Sequence, residues 1–118
     1  MRYFKLILLV FLLVSCEEII EVEDISNRNV TILAPTDTAI LTITNINFSW
    51  NEVEDAEQYR LQIATPSFEM ANQIVLDTTI VSTNFNKTLE LGSYQWRVRG
   101  ENSDYQTEYS TQSFTVEE

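Results

Sequence analysis

A two-residue alternation, repeated along the chain, most constrains what it can fold into. Ile46, Phe48 and Trp50 alternate with Asn47 and Ser49. Tyr59, Leu61 and Ile63 alternate with Arg60 and Gln62, and Tyr94, Trp96 and Val98 with Gln95, Arg97 and Arg99. Successive side chains of a strand point to opposite faces, so each run has one apolar and one polar face. An amphipathic helix would instead need apolar residues three and four apart. Further strands are expected near Val30–Ala34, Gln73–Asp77, Thr79–Phe85 and Tyr109–Val116, separated by polar breaks. Pro66 to Gln73 is expected as a connecting loop, and Lys87 sits in a polar stretch, Asn84 to Thr88, expected as another. This spacing predicts an all-β, seven-stranded Greek-key sandwich with an aromatic core.

Composition then narrows function. The 118 residues carry 7 basic and 18 acidic side chains, no histidine and one cysteine, for a net charge of −11. A chain this acidic lacks the basic face that releases counterions from a phosphate backbone, so nucleic acid is not an expected partner. One cysteine excludes an intrachain disulfide, and the commonest catalytic base and metal ligand is missing. Gly92 and Gly100 are isolated, so no glycine-rich loop cradles a phosphate. The stretch Asn51 to Glu57 holds Glu52, Glu54, Asp55 and Glu57, but Val53 and Ala56 interrupt it as packing residues, and calcium wants six to eight oxygens. It reads as a solvated loop. No catalytic residue, metal site or cofactor is expected, and the chain is not expected to be an enzyme.

The N-terminus reads as an address. Arg2 and Lys5 precede an unbroken run of nine apolar residues, Leu6 to Val14, and then Ser15 and Cys16. A basic start, a short apolar stretch and a small residue mark a cleaved secretory signal peptide. A spanning helix would need about 20 apolar residues. The run Leu13-Val14-Ser15-Cys16 resembles the lipobox of bacterial lipoproteins. That resemblance implies that Cys16 is the lipid attachment residue, diacylglycerylated on sulfur and acylated, palmitate-like, on the amine it exposes after cleavage. Two or three acyl chains hold a protein firmly at a membrane where one does not. The acidic run Glu17 to Asp24 resembles the surface-export signal of some Gram-negative lipoproteins. Outer-membrane attachment is the expectation, with an outward-facing position as its extension and a periplasmic one left open; the alternative for this run is a solvated tether stretched by self-repulsion. The organisation expected is therefore signal peptide 1–15, acidic tether 16–29 and one domain 30–118. Without the leader, five basic residues face 18 acidic ones, a balance of −13.

Within the domain, Phe48-Ser49-Trp50 followed by Ala56-Glu57-Gln58-Tyr59-Arg60-Leu61-Gln62-Ile63 looks like two successive strands of a fibronectin type III domain. Leu89 to Arg99, with Gly92 and Tyr94, is similar to that family's tyrosine corner and the strand after it, and Ser113 to Val116 to its last strand. The resemblance spans Val30 to Val116 and implies an immunoglobulin-like sandwich with Trp50 in the core and the Tyr94 hydroxyl bonded to upstream backbone.

If Tyr59, Leu61, Trp96 and Val98 face inward, then Arg60, Arg97 and Arg99 share the outer face. They are the candidate ligand-binding residues, for a protein or carbohydrate carrying acid groups. The competing reading pairs them with cross-strand acids such as Glu108, their stems lying over apolar surface. Asp37-Thr38-Ala39 and Asp77-Thr78-Thr79 fit a short bacterial O-glycosylation pattern, which turn chemistry explains equally well. The function expected is a lipid-anchored binding or spacer module; the alternative is an assembly factor that docks onto an envelope complex by strand addition at a sheet edge.

Overall fold

The computed structural model describes residues 21–118, which form two packed sheets and no helix. The leader and Cys16 lie outside the described residues. Eight strands follow in order: β1 (Ile32–Ala34), β2 (Ala39–Leu41), β3 (Asn45–Trp50), β4 (Gln58–Thr65), β5 (Gln73–Ile80), β6 (Asn84–Thr88), β7 (Gly92–Glu101) and β8 (Ser110–Val116). One sheet has the order β1-β3-β6 and the other β2-β8-β7-β4-β5. All pairings are antiparallel except β2 with β8.

The sandwich expected from periodicity is there, with three differences. The first is the eighth strand. The chain opens in the three-stranded sheet as β1, crosses at Pro35, and joins the five-stranded sheet as β2, in parallel register with β8. The crossing is tied down by the Trp96 indole donating to the Pro35 carbonyl (3.1 Å) and by Ser113 N donating to Asp37 Oδ1 (2.8 Å). Such contacts are tertiary and leave no local signal.

The second difference lies in the middle of the chain, where Gln73 to Ile80 is one continuous strand. A break was expected at Thr78, but the turn falls at Val81 to Thr83, after Thr78 and Ile80 have continued the inward series begun by Leu76. One residue, Val75, is extra where Ile63 opposes Leu76 and Ala64 opposes Ile74, which is a β-bulge. Third, Asn84 to Thr88 is strand β6, not a loop, because Phe85 anchors it against Phe48 while Asn86 bonds Asn47 across the ladder (2.9 Å).

The core runs between the sheets. Phe48, Trp50, Leu61, Ile63, Trp96, Val98, Phe114 and Val116 are 0–2% exposed. Phe48 meets Trp96 edge to face at 5.0 Å and Phe114 at 5.8 Å, while Tyr94 stacks on Phe114 at 5.4 Å. Each such pair adds roughly 0.5–1.5 kcal/mol beyond area burial. The buried hydroxyls find partners: Tyr94 Oη donates to Glu90 O (2.7 Å), the tyrosine corner, and Tyr59 Oη accepts from Val53 N (2.9 Å). Trp50 Nε1 is buried with no partner among the described residues.

The packed body also takes in residues ahead of Val30. Ile25 is fully buried, so part of the stretch expected as tether is built into the domain.

Candidate functional site

The five-stranded sheet turns one face to the core and the other to solvent, and the solvent face gathers three of the five basic residues described. β4 and β7 are neighbours in a register that sets Arg60 opposite Arg99 and Gln62 opposite Arg97. Arg60, Arg97 and Arg99 therefore share one face, as alternation predicts.

Their surroundings differ. Arg60 forms a bidentate pair with Asp77 of β5: Nε to Oδ1 and Nη2 to Oδ2, both 2.9 Å. The guanidinium donors hold the Asp77 carboxyl below its ordinary pKa, and the same carboxylate raises that of Arg60. Arg99 Nε donates to Glu101 Oε2 (2.8 Å), and the other carboxylate oxygen accepts from Gln58 Nε2 (3.0 Å). Pairing with acids thus holds for two of the three, but the acids are Asp77 and Glu101. Glu108, the expected example, is exposed and pairs with neither. Residue 101 sits two positions along β7 from Arg99, on the same face, where a short contact costs no rearrangement.

Arg97 is different. Among the described residues no carboxylate pairs with it. Its guanidinium carbon lies 4.0 Å from the Phe68 ring centroid and 4.5 Å from that of Tyr109. Nε donates to Gln62 Oε1 (2.7 Å). Phe68 comes from the β4–β5 connection and is held over the sheet by its own N–H, which donates to Gln95 Oε1 (2.9 Å). Tyr109 comes from just before β8 and also lies 4.7 Å from the Arg99 guanidinium. A guanidinium flanked by two rings is held between them, and Gln62 uses one of its five N–H donors. Phe68, Tyr109 and Gln62 were not singled out in the sequence. Tyr109 was reachable from the β7–β8 register, whereas Phe68 sits in an irregular loop whose path periodicity does not predict.

Of the two short glycosylation patterns, Thr38 is exposed, while Thr78 lies opposite Leu61 on the core side and is only partly accessible. Asp55 of the carboxylate-rich β3–β4 connection is engaged by Arg28 (3.0 Å).

No family model matches the chain, and no curated protein matches it. Solved structures do. The fold is similar to the fibronectin(III)-like modules of Clostridium thermocellum CbhA, with 8% identity, a TM-score of 0.54, and coverage of 75% of this chain and 95% of that one. A fibronectin type III domain from a human protein aligns with 13% identity and a TM-score of 0.54 over 75% of this chain and 72% of its own. A Fn3-like protein from Clostridium thermocellum shares 20% identity at a TM-score of 0.51, over 69% and 88% of the two chains. At these identities the likeness establishes the fold alone: an immunoglobulin-like sandwich similar to fibronectin type III domains. What the module contacts has to be argued from its own residues.

Proposed function

We propose that this protein is a non-catalytic lipoprotein of the bacterial outer membrane, anchored through Cys16. Its fibronectin type III sandwich presents the outer face of the five-stranded sheet to a protein or carbohydrate that bears a carboxylate. The observation that carries this reading is the Phe68–Arg97–Tyr109 stack. A partner acid would find a cation already held between two rings, so little side-chain entropy is lost on contact. The flanking rings add flat apolar surface, the combination that suits a sugar ring or a peptide side chain beside an acid group. The lipobox-like Leu13 to Cys16 supports the anchor.

The test is titration of the protein with uronic-acid oligosaccharides and with acidic peptides, followed by the heat released. Binding by one of the two classes, weakened tenfold or more in Arg97→Gln while Arg60→Gln changes it little, is the expected result. Full affinity in Arg97→Gln, or no binding in either class, removes the face from consideration.

A second reading, docking onto an envelope assembly by strand addition, has its own observation. β5 is an open edge eight residues long whose one charged residue, Asp77, is held by Arg60. It lacks the lysine or proline that usually blunts such an edge. A stoichiometric envelope protein that co-purifies with the wild type, and is lost when proline replaces Leu76 but retained in Arg97→Gln, would favour that reading.

A further inference from the structure

The chain ahead of β1 is strapped to one end of the sandwich. Ile25 is fully buried, and Arg28 N donates to Ile25 O (2.9 Å), closing a turn. Asn102 Nδ2 donates to Glu23 O (2.9 Å) and to Asp55 O (3.3 Å). Arg28 Nη1 donates to the Glu54 carbonyl and to Asp55 Oδ2 (3.0 Å), and Nη2 lies 3.9 Å from Glu23 Oε2. Every one of these partners beyond the strap itself belongs to the β3–β4 or the β7–β8 connection, which lie at the same end because Gln58 opposes Glu101.

We infer that this end is the membrane-proximal end of the protein, so that the sandwich stands upright on the lipid with the β3–β4 and β7–β8 connections facing the headgroups. The inference rests on the lipid anchor at Cys16 proposed above. Seven residue steps separate Cys16 from Glu23, and at 3.3–3.6 Å per step they reach at most about 25 Å. β7 alone, ten residues and nine steps long, spans about 30 Å along the body. The strap therefore decides which end is near the lipid.

Charge sets the distance. Glu23, Glu52, Glu54, Asp55, Glu57 and Asp104 belong to the strap and these two connections, and among the described residues Arg28 is the basic residue there. An anionic lipid surface repels this end while the anchor retains it, and the gap closes as salt screens the repulsion. The outer sheet face then runs along the membrane normal. The opposite end, where Ile43, Met70 and Leu91 are 50–75% exposed, points away from the lipid.

Energy transfer to dye-labelled headgroups tests this. Acylated protein carrying a donor dye at Glu54→Cys or at Glu90→Cys is reconstituted into vesicles containing anionic lipid. Transfer from position 54 should be at least twofold greater than from position 90, and the difference should shrink in Ile25→Ser/Asn102→Ala, which releases the strap. Equal transfer, or more from position 90, overturns the orientation. The mass of the same preparation keeps the two ideas apart. Acylated protein with equal transfer rejects the orientation alone, whereas an unmodified Cys16 rejects the anchor and the orientation with it.

Discussion

The two faces of the five-stranded sheet are built from alternate residues of the same strands, yet different physics holds them. Trp96 and Arg97 are neighbours in β7. The first is 0% exposed, packed between Phe48 and Trp50 and hydrogen-bonded to Pro35 across the sheet switch. The second lies between two rings at the boundary with water. Inside, burial supplies the energy and every contact adds to it. Outside, an exposed pair such as Arg60–Asp77 exchanges water for its partner at little net gain, so the open part of the face is free to be shaped by something other than folding. Substitutions one residue apart should therefore differ in kind.

The largest effect is expected at Trp96→Ala, which removes a buried indole and orphans the Pro35 carbonyl. A loss of about 3–5 kcal/mol is expected, lowering Tm by more than about 10 °C in a domain of this size. Arg97→Ala, its half-buried neighbour, should cost less, about 1–2 kcal/mol for two cation–π contacts of about 0.5–1 kcal/mol each. Chemical denaturation of the two variants side by side checks this. Equal losses would mean that the outer stack is part of the fold's support, and the argument for Arg97 as a contact residue would lose its footing.

An intermediate effect is expected at Tyr94→Phe. The ring and its stacking on Phe114 remain, and only the hydroxyl bond to the Glu90 carbonyl is lost. A cost of about 1 kcal/mol follows, near the ordinary net value of one hydrogen bond. The same substitution at Tyr109, on the outer face, leaves the ring over Arg97 and Arg99 and should be neutral within error by thermal unfolding. A cost at Tyr109→Phe matching that at Tyr94→Phe would blur the distinction between the faces.

The inner face was legible in the sequence and the outer one only partly. Alternation identifies Phe48, Trp50, Tyr59, Leu61, Trp96 and Val98 as core because burial acts on each residue separately and leaves a period of two. It also places Arg60, Arg97 and Arg99 together. Which acid meets which arginine depends on register and on the spacing along a strand, and so Asp77 and Glu101 stand where Glu108 was expected. The strap leaves no mark in the sequence for a related reason. Ile25 sits in an acidic stretch with no periodicity, yet it is fully buried, and the neighbouring Glu23 carbonyl is held by Asn102 of the β7–β8 connection. The strand β2 is a third case, since three residues carry too little pattern to declare which sheet they join.

The smallest effect expected is the titration of the Arg60–Asp77 pair, and it tests the claim that outer-face charges contribute little to folding. The folded-state pKa of Asp77 is depressed, chiefly by the hydrogen bonds from Arg60. Any stability it provides is therefore fully present above the unfolded value of about 3.9 and fades as pH falls through the lower folded value. Arg60 remains charged throughout that window. With both side chains more than a third exposed, solvent and salt screen the pair, so Tm measured from neutral pH down to acid should change almost equally in wild type and Asp77→Asn. Carboxyl NMR should nonetheless find Asp77 titrating below its ordinary range in the wild type and rising toward it in Arg60→Gln, with Gln62 and Arg97 still holding it down in part. A large gap in acid stability between wild type and Asp77→Asn would show that the outer face holds the fold together after all, and the division between the two faces would have to be redrawn around that pair.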